Sequence, residues 1–310
     1  MSDATGVPSP VIEANRRSPL ADFFIRLVTE KPVGTACGII ILILIFVAIF
    51  GGVLTPYPYD EANIHDMMKG PSAQYLLGTD QLGRDLLSRI IYGARISLLV
   101  GLTVTTISVV VSTLIGGTSG FIGGKLDLGV QRFVDAWLAF PGLLLLLTMM
   151  SIVGRGLPQI ILVLGISGGI GGSRVIRGAV IGIKENVYFQ AADAVGSSRL
   201  RTFMRHVVPN VLPIVIIMFS VTIGGVILSL AALGFLGFGL PPGTPDWGGL
   251  LSREGRQYME AAPRLAFWPG LCLTVTVFSL NMFGDAVRDL LDPRLRGGGG
   301  RLAGGGTASV

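Results

Sequence analysis

Apolar residues in this chain fall into long unbroken runs rather than the 3.6-residue or two-residue alternation of half-buried helices and strands. Six stretches contain no Asp, Glu, Lys or Arg: 32–59, 96–124, 136–154, 156–173, 207–245 and 265–284. Each has, or nearly has, the ~20 residues that a helix needs to cross hydrocarbon. The pattern predicts an all-α, polytopic membrane protein with six transmembrane helices. The run 156–173 is the weakest, being short and glycine-rich, and it lengthens toward Ile183 if Arg174 and Arg177 snorkel. The run from Val207 is about twice a span. Residues 211–233 suffice to cross, so the GFLGFGLPPGTPDWGG that follows must bend over the surface, where glycine and proline break helices.

The segments between the runs carry their own periodicities. Leu20, Phe23, Phe24, Leu27 and Val28 form an apolar stripe that predicts a helix in the membrane interface ahead of the first span. The polar residues before it read as a disordered tail, with no signal-peptide pattern. After the first span, Asp80 is placed to cap an amphipathic helix with Leu82, Leu86, Ile90 and Ile91 on one side and an Asp85–Arg89 pair on the other. Asp135 suits the N-terminus of the third span, and Pro141 lies within that span as a kink or a bend. Glycines 165, 168, 169, 171 and 172 permit either close helix packing or local unwinding. Trp247 is expected in an interfacial aromatic belt, with a substrate-facing surface as the alternative. The last span is expected to begin at Trp268-Pro269-Gly270, and Asn281, Asp285 and Arg288 make a polar face where it ends.

One segment is least like a membrane span. Residues 186–210 read NVYFQAADAVGSSRLRTFMRHVVPN. Tyr188, Ala191, Ala192 and Val195 follow helical spacing, and Leu200, Phe203, Met204 and Val207 repeat it after Gly196. Two short amphipathic helices joined by a glycine hinge are predicted. Ser197 or Ser198 caps the second and Pro209 stops it. On shape alone this is a linker or a docking element.

Composition agrees with a bilayer location: 50% of the 310 residues are hydrophobic, 14% are charged, and the mean hydropathy is +0.68. With the N-terminus inside, the inner segments hold 16 of the 24 Lys and Arg residues and the outer segments the other eight. That bias predicts cytoplasmic termini and a cytoplasmic 186–210 loop, and it accounts for the net charge of +5 without a nucleic-acid partner. Cys37 and Cys272 lie near opposite faces, so a disulfide is not expected, and the two histidines sit in no ligand cluster. No Gly-x4-Gly-Lys-Ser/Thr occurs, so ATP binding by this chain is not expected. The apolar runs hold no ionisable groups for ion coupling, which disfavours a self-contained secondary transporter.

The identities of particular residues go further. Leu77-Gly78-Thr79-Asp80, Gly83-Arg84-Asp85, Leu87-Ser88-Arg89 and Tyr92-Gly93-Ala94-Arg95 closely resemble the hallmark of ABC importer permeases of the dipeptide/oligopeptide/nickel family, in the C-type subunit. Gln190, Ala191, Ala192, Gly196 and Pro209 resemble that family's Glu-Ala-Ala loop, with Gln190 in place of the acid. FLGFG, Pro241-Pro242, and Asn281 through Asp292-Pro293 also match in order. The resemblance implies a type I importer permease fold and no catalytic, metal or cofactor site in this chain. It implies a loop, with Gln190, Ala191, Ala192, Gly196, Arg199, Phe203 and Pro209, that docks on an ATPase. Gly78, Thr79, Asp80, Gly83, Arg84 and Asp85 would form an outer element that is a gate, a receptor contact or a structural clamp. ATP and Mg would be bound by partners. Those partners would be two ATP-binding subunits, a homologous second permease and an extracytoplasmic substrate-binding protein, in the bacterial cytoplasmic membrane. Dipeptides or oligopeptides are the expected cargo, with nickel or another small solute as the alternative. The implied organisation is an N-terminal tail and interfacial helix over 1–33, a permease domain over 34–293 and a glycine-rich tail over 294–310. Within the domain lie outer segments 57–95 and 236–264 and a coupling loop over 184–210.

Overall fold

A computed structural model describes residues 18–187, 189 and 196–291. Its helices are α1 (Pro19–Glu30), α2 (Pro32–Leu54), α3 (Leu86–Ile122), α4 (Gly124–Leu138), α5 (Gly142–Val153), α6 (Leu157–Lys184), α7 (Arg199–Thr202), α8 (Val208–Phe235), α9 (Trp247–Leu250) and α10 (Arg264–Leu291). Among the described residues the one extended pairing is an isolated bridge from Thr79 to Asp85. Helices α2, α3, α6 and α10 and the rod Arg199–Phe235 are each long and apolar enough to span a bilayer. The pair α4 and α5, bent by 91°, makes a sixth span if counted as one.

Helix α3 is the centre of the bundle, and α6 lies along it at very short range because small residues line the seam. A Cβ on Gly116 would come within 2.1 Å of the Ser173 carbonyl, and one on Gly169 within 2.5 Å of Val111. Ser112 Oγ donates to the Gly169 carbonyl at 2.9 Å, so the seam also satisfies a buried hydroxyl. Glycines 165, 168, 169 and 172 therefore pack within the chain, and α6 runs unbroken for 28 residues. Lys184 closes the seam by donating to the Gly120 and Phe121 carbonyls at the end of α3. Phe23 and Leu27 of α1 pack on Ala286 and Leu290, and Lys31 Nζ reaches Asp289 Oδ2 at 2.5 Å. The remaining α1 aromatic, Phe24, stays exposed.

Four expectations change. The third span does not contain Pro141 in mid-helix: Pro141 is the N-cap of α5, and the chain turns through 91° between Leu138 and Gly142. Asp135 is not at a helix start but in the last turn of α4, where it pairs with Arg174, while Asp127 takes the first turn. Arg177 grips Asp127 through Nε and Nη2, both at 2.6 Å, and so ties the extension of α6 toward Lys184 to α4. Pro209 does not stop the loop's second helix. The backbone widens into a π turn over Phe203–Val207, in which Val208 N–H bonds back to the Phe203 carbonyl. A widened turn just ahead of a proline relieves the ring's clash with the preceding turn, so the rod continues to Phe235. The last span likewise begins earlier, at Arg264, and carries Pro269 inside it.

Helix α8 ends in a Schellman turn. Phe238 N–H bonds to the Leu233 carbonyl at 2.8 Å and Gly237 N–H to the Gly234 carbonyl at 3.1 Å. The FLGFG string is thus the stop that sends the chain across the surface.

Candidate functional site

The residues singled out by sequence lie at opposite ends of the bundle. At the end formed by 57–85 and 236–263, the loop before α3 is built around Asp80. Its Oδ1 accepts from the Leu82 and Arg84 amides at 2.8 and 2.9 Å, which folds the loop back on itself. Gly83 has φ +72°, and a Cβ there would lie 1.8 Å from the Asn63 carbonyl oxygen, so only glycine fits. Asp85, not Asp80, caps the helix: its Oδ2 accepts from Ser88 N–H at 2.8 Å and Ser88 Oγ at 2.7 Å. The helix accordingly starts at Leu86, and Leu82 stays outside it and exposed.

The expected Asp85–Arg89 pair does not form. Arg89 turns inward, 1% exposed, with Nη1 3.1 Å from Asp80 Oδ2 and Nη2 2.7 Å from Glu254 Oε1. Arg84 bridges the same two acids, with Nε 2.7 Å from Asp80 Oδ2 and Nη2 3.1 Å from Glu254 Oε1. Two guanidinium groups and two carboxylates thus close a buried square. Glu254 comes from a π turn, Leu251–Gly255, in the distant segment 236–264. Trp247 fastens the same two segments. It is fully buried, donates from Nε1 to the Ile90 carbonyl at 3.2 Å, and lies over Gly93. It is a core residue and not a belt residue. Asp80, Arg84 and Asp85 of that outer element are all buried.

A second knot holds the loop's rim. Asp66 accepts from Tyr75 Oη and Asn63 Nδ2, both at 2.7 Å, and pairs with Lys69, while Thr79 joins the backbone of Lys69 and Arg264 donates to the Met68 and Lys69 carbonyls. Lys69, then Tyr75, hold the Asp66 carboxyl below its ordinary range, and the Asp66 bond pushes Tyr75 up to about 12. A depressed native pKa gives stability that is complete above about pH 4, the unfolded carboxyl's value, and is lost as pH falls through the native one. Acidification below that value is expected to loosen 63–80, read as lost hydrogen-exchange protection, relative to intrinsic exchange at the same pH, of the Met68 and Thr79 amides, which bond to the Asp80 and Lys69 carbonyls. Asp66→Asn should lose that protection already at neutral pH; equal acid responses in both proteins would assign the effect elsewhere.

At the other end lies the 184–210 segment. Gln190, Ala191 and Ala192, and the first predicted amphipathic helix, fall outside the described residues. Gly196 has φ +76°, with no described residue within 4 Å of a Cβ placed there, and Ser198 caps α7 through the Arg201 amide. The predicted stripe divides. Phe203 and Val207 face the bundle, where the Phe203 ring stands 5.0 Å from Phe121 and Val207 joins Ile176, Val180 and Val211. Leu200 and Met204 are 71% and 60% exposed, and Arg199, Arg201 and Arg205 beside them are exposed too. Pro209 is exposed at the foot of α8. This end offers an apolar ridge flanked by three cations, a surface suited to an acidic groove. Neither Glu254 nor the inward turn of Arg89 left a signal in the local pattern, because their partner lies 165 residues away.

Residues 112–297 match the family described as binding-protein-dependent transport system inner membrane component, and residues 18–71 match the N-terminal transmembrane domain of oligopeptide transport permease C. A dipeptide transport system permease protein from Alkalihalophilus pseudofirmus is 36% identical over 296 residues, covering 96% of this chain and 97% of that one. A glutathione transport system permease protein from Pectobacterium atrosepticum is 34% identical over 289 residues, covering 93% and 95%. A methionine ABC transporter solved in inward-facing conformations aligns with 63% of this chain and 94% of its own at 18% identity and a TM-score of 0.46.

Proposed function

The chain belongs to the inner membrane components of binding-protein-dependent transport systems, and from that premise we propose that it is the permease subunit of an ATP-driven importer of dipeptides or oligopeptides. The observation that carries the cargo is the similarity, over nearly the whole chain, to permeases named for dipeptide and glutathione transport. Its complex would contain a homologous second permease, two ATP-binding subunits that hold ATP and Mg, and an extracytoplasmic binding protein. Both termini and the 184–210 loop would be cytoplasmic, as the lysine and arginine bias favours. The ridge of Leu200 and Met204 with Arg199, Arg201 and Arg205 supports the loop as the surface that meets the ATPase.

Two measurements test this together. Cells carrying the complex should take up a labelled dipeptide only when this chain is present, and cysteines at Lys125 and Glu185 should be labelled from the cytoplasm while those at Glu61 and Arg256 are labelled from outside. All four positions are exposed. Uptake of nickel without peptide would replace the cargo, and reversed labelling at either pair would overturn the orientation.

A further inference from the structure

The elbow between α4 and α5 sits at mid-depth in the bundle. Leu138, the last residue of α4, lies against Gly171, near the midpoint of α6 (Leu157–Lys184). The turn leaves the last carbonyls of α4 and the first amides of α5 outside any helical ladder. Pro141 supplies no side-chain cap. Residues 138–144 are nevertheless exposed, Phe140 at 63%. Unpaired backbone cannot face lipid tails, because each such group costs several kcal/mol in hydrocarbon; at membrane depth it must meet protein or water.

What lies beside the elbow distinguishes the two. A cleft of about 500 Å³ opens between α5, α6 and the middle of α8. Its lining is mostly apolar, with Trp137, Phe140 and Leu164 among it, and is interrupted by the hydroxyls of Ser167, Thr222 and Ser229. About half of the hydroxyls on the long helices fold back onto a carbonyl of their own turn, as Thr103, Thr113, Thr148, Ser220 and Ser229 do, and among those without a bond Thr276 and Ser279 are fully buried. Ser167 and Thr222 make no hydrogen bond among the described residues, and both are half-buried in the wall of this cleft. A protein partner packed there would have to match free hydroxyls and free backbone groups one by one, whereas water or a passing amide can satisfy them in any register.

We propose that the cleft at the α4–α5 elbow is one wall of an aqueous translocation route, in which the Ser167 and Thr222 hydroxyls and the elbow's free backbone exchange hydrogen bonds with the peptide groups of the solute. Such contacts read backbone and not side chains, so the wall passes peptides of differing sequence. The water-lined wall stands on the geometry alone; the peptide ligand rests on the import reading above.

The test uses the assembled complex in membranes, with Cys37→Ala and Cys272→Ala as background and single cysteines at Ser167, Thr222 and Ile43. Ile43 is at the middle of α2 and 57% exposed, on a purely apolar face. A charged thiosulfonate needs an ionised thiol, so Ser167→Cys and Thr222→Cys are expected to react roughly tenfold or more faster than Ile43→Cys. Saturating dipeptide should slow both. Reactivity no greater than at Ile43 would overturn the proposal, including the outcome in which Ser167→Cys instead crosslinks to the second permease. Reactivity untouched by peptide in a complex that still imports peptide would overturn it too. If the parent complex imports no peptide, the cargo assignment falls, and the comparison with Ile43 alone decides the wall.

Discussion

Glu254→Ala is expected to cost about 3–5 kcal/mol of stability, since removing one member of a buried ion pair leaves the others charged and without compensation. Arg84 and Arg89 both lean on Glu254 Oε1, and Asp80 alone cannot neutralise two guanidinium groups. Burial pushes the Glu254 carboxyl above its ordinary range, against the pull of the Arg89 and Arg84 guanidinium groups. The readout is the thermal unfolding of the detergent-solubilised complex and the yield of inserted chain. Glu254→Gln, which keeps the size and an acceptor, should lose less. The pair Arg89→Met with Glu254→Leu should recover part of the loss, because apolar side chains of similar volume tolerate the site better than half an ion pair. Wild-type stability of Glu254→Ala combined with altered uptake would mean that the square opens during transport and is not a clamp.

Gly196→Asp is expected to abolish coupled uptake while leaving insertion and the distant square intact. The left-handed backbone at φ +76° penalises any side chain by about 1 kcal/mol. Among the described residues no atom lies within 4 Å of the Cβ position, so none of them clashes. Gly196→Ala should therefore show the strain alone. Aspartate adds an unpaired charge to a docking surface, worth about 2–5 kcal/mol and so more than tenfold in association. Ala191→Glu should reproduce that second effect, and Gln190→Glu, which restores the acid of related loops, should be tolerated. Peptide uptake, ATPase co-purification and stimulated hydrolysis are measured side by side. Full uptake in both Gly196→Asp and Ala191→Glu would reduce the loop to a linker.

The spans were legible because a charge-free run long enough for hydrocarbon has few other homes, and the Ser198 cap and the Gly196 backbone were legible because their physics is local. The misreadings share a cause. Asp80, Asp85 and Arg89 were assigned by spacing within one helix, yet Arg89 is satisfied by a residue from another segment, which no periodicity encodes. Trp247 was placed in the interface on the preference of its residue type, whereas Gly93 opens a slot that buries it. Pro209 was read as a stop because the widened turn that absorbs it has no composition of its own. The fourth-span glycines were ambiguous until α3 was seen to occupy the space they leave.

The absorbed proline has a mechanical corollary. Because the helix does not end at Pro209, Arg199 and Phe235 are the two tips of one 37-residue beam, about 55 Å long at 1.5 Å per residue. It is gripped near both tips as well as in the middle: Val207 and Val211 join Ile176 and Val180, Ser220 meets Gly284, and Ala231 meets Gly248. A push at Arg199 would therefore carry the beam together with the helices packed on it rather than pivot it about one point.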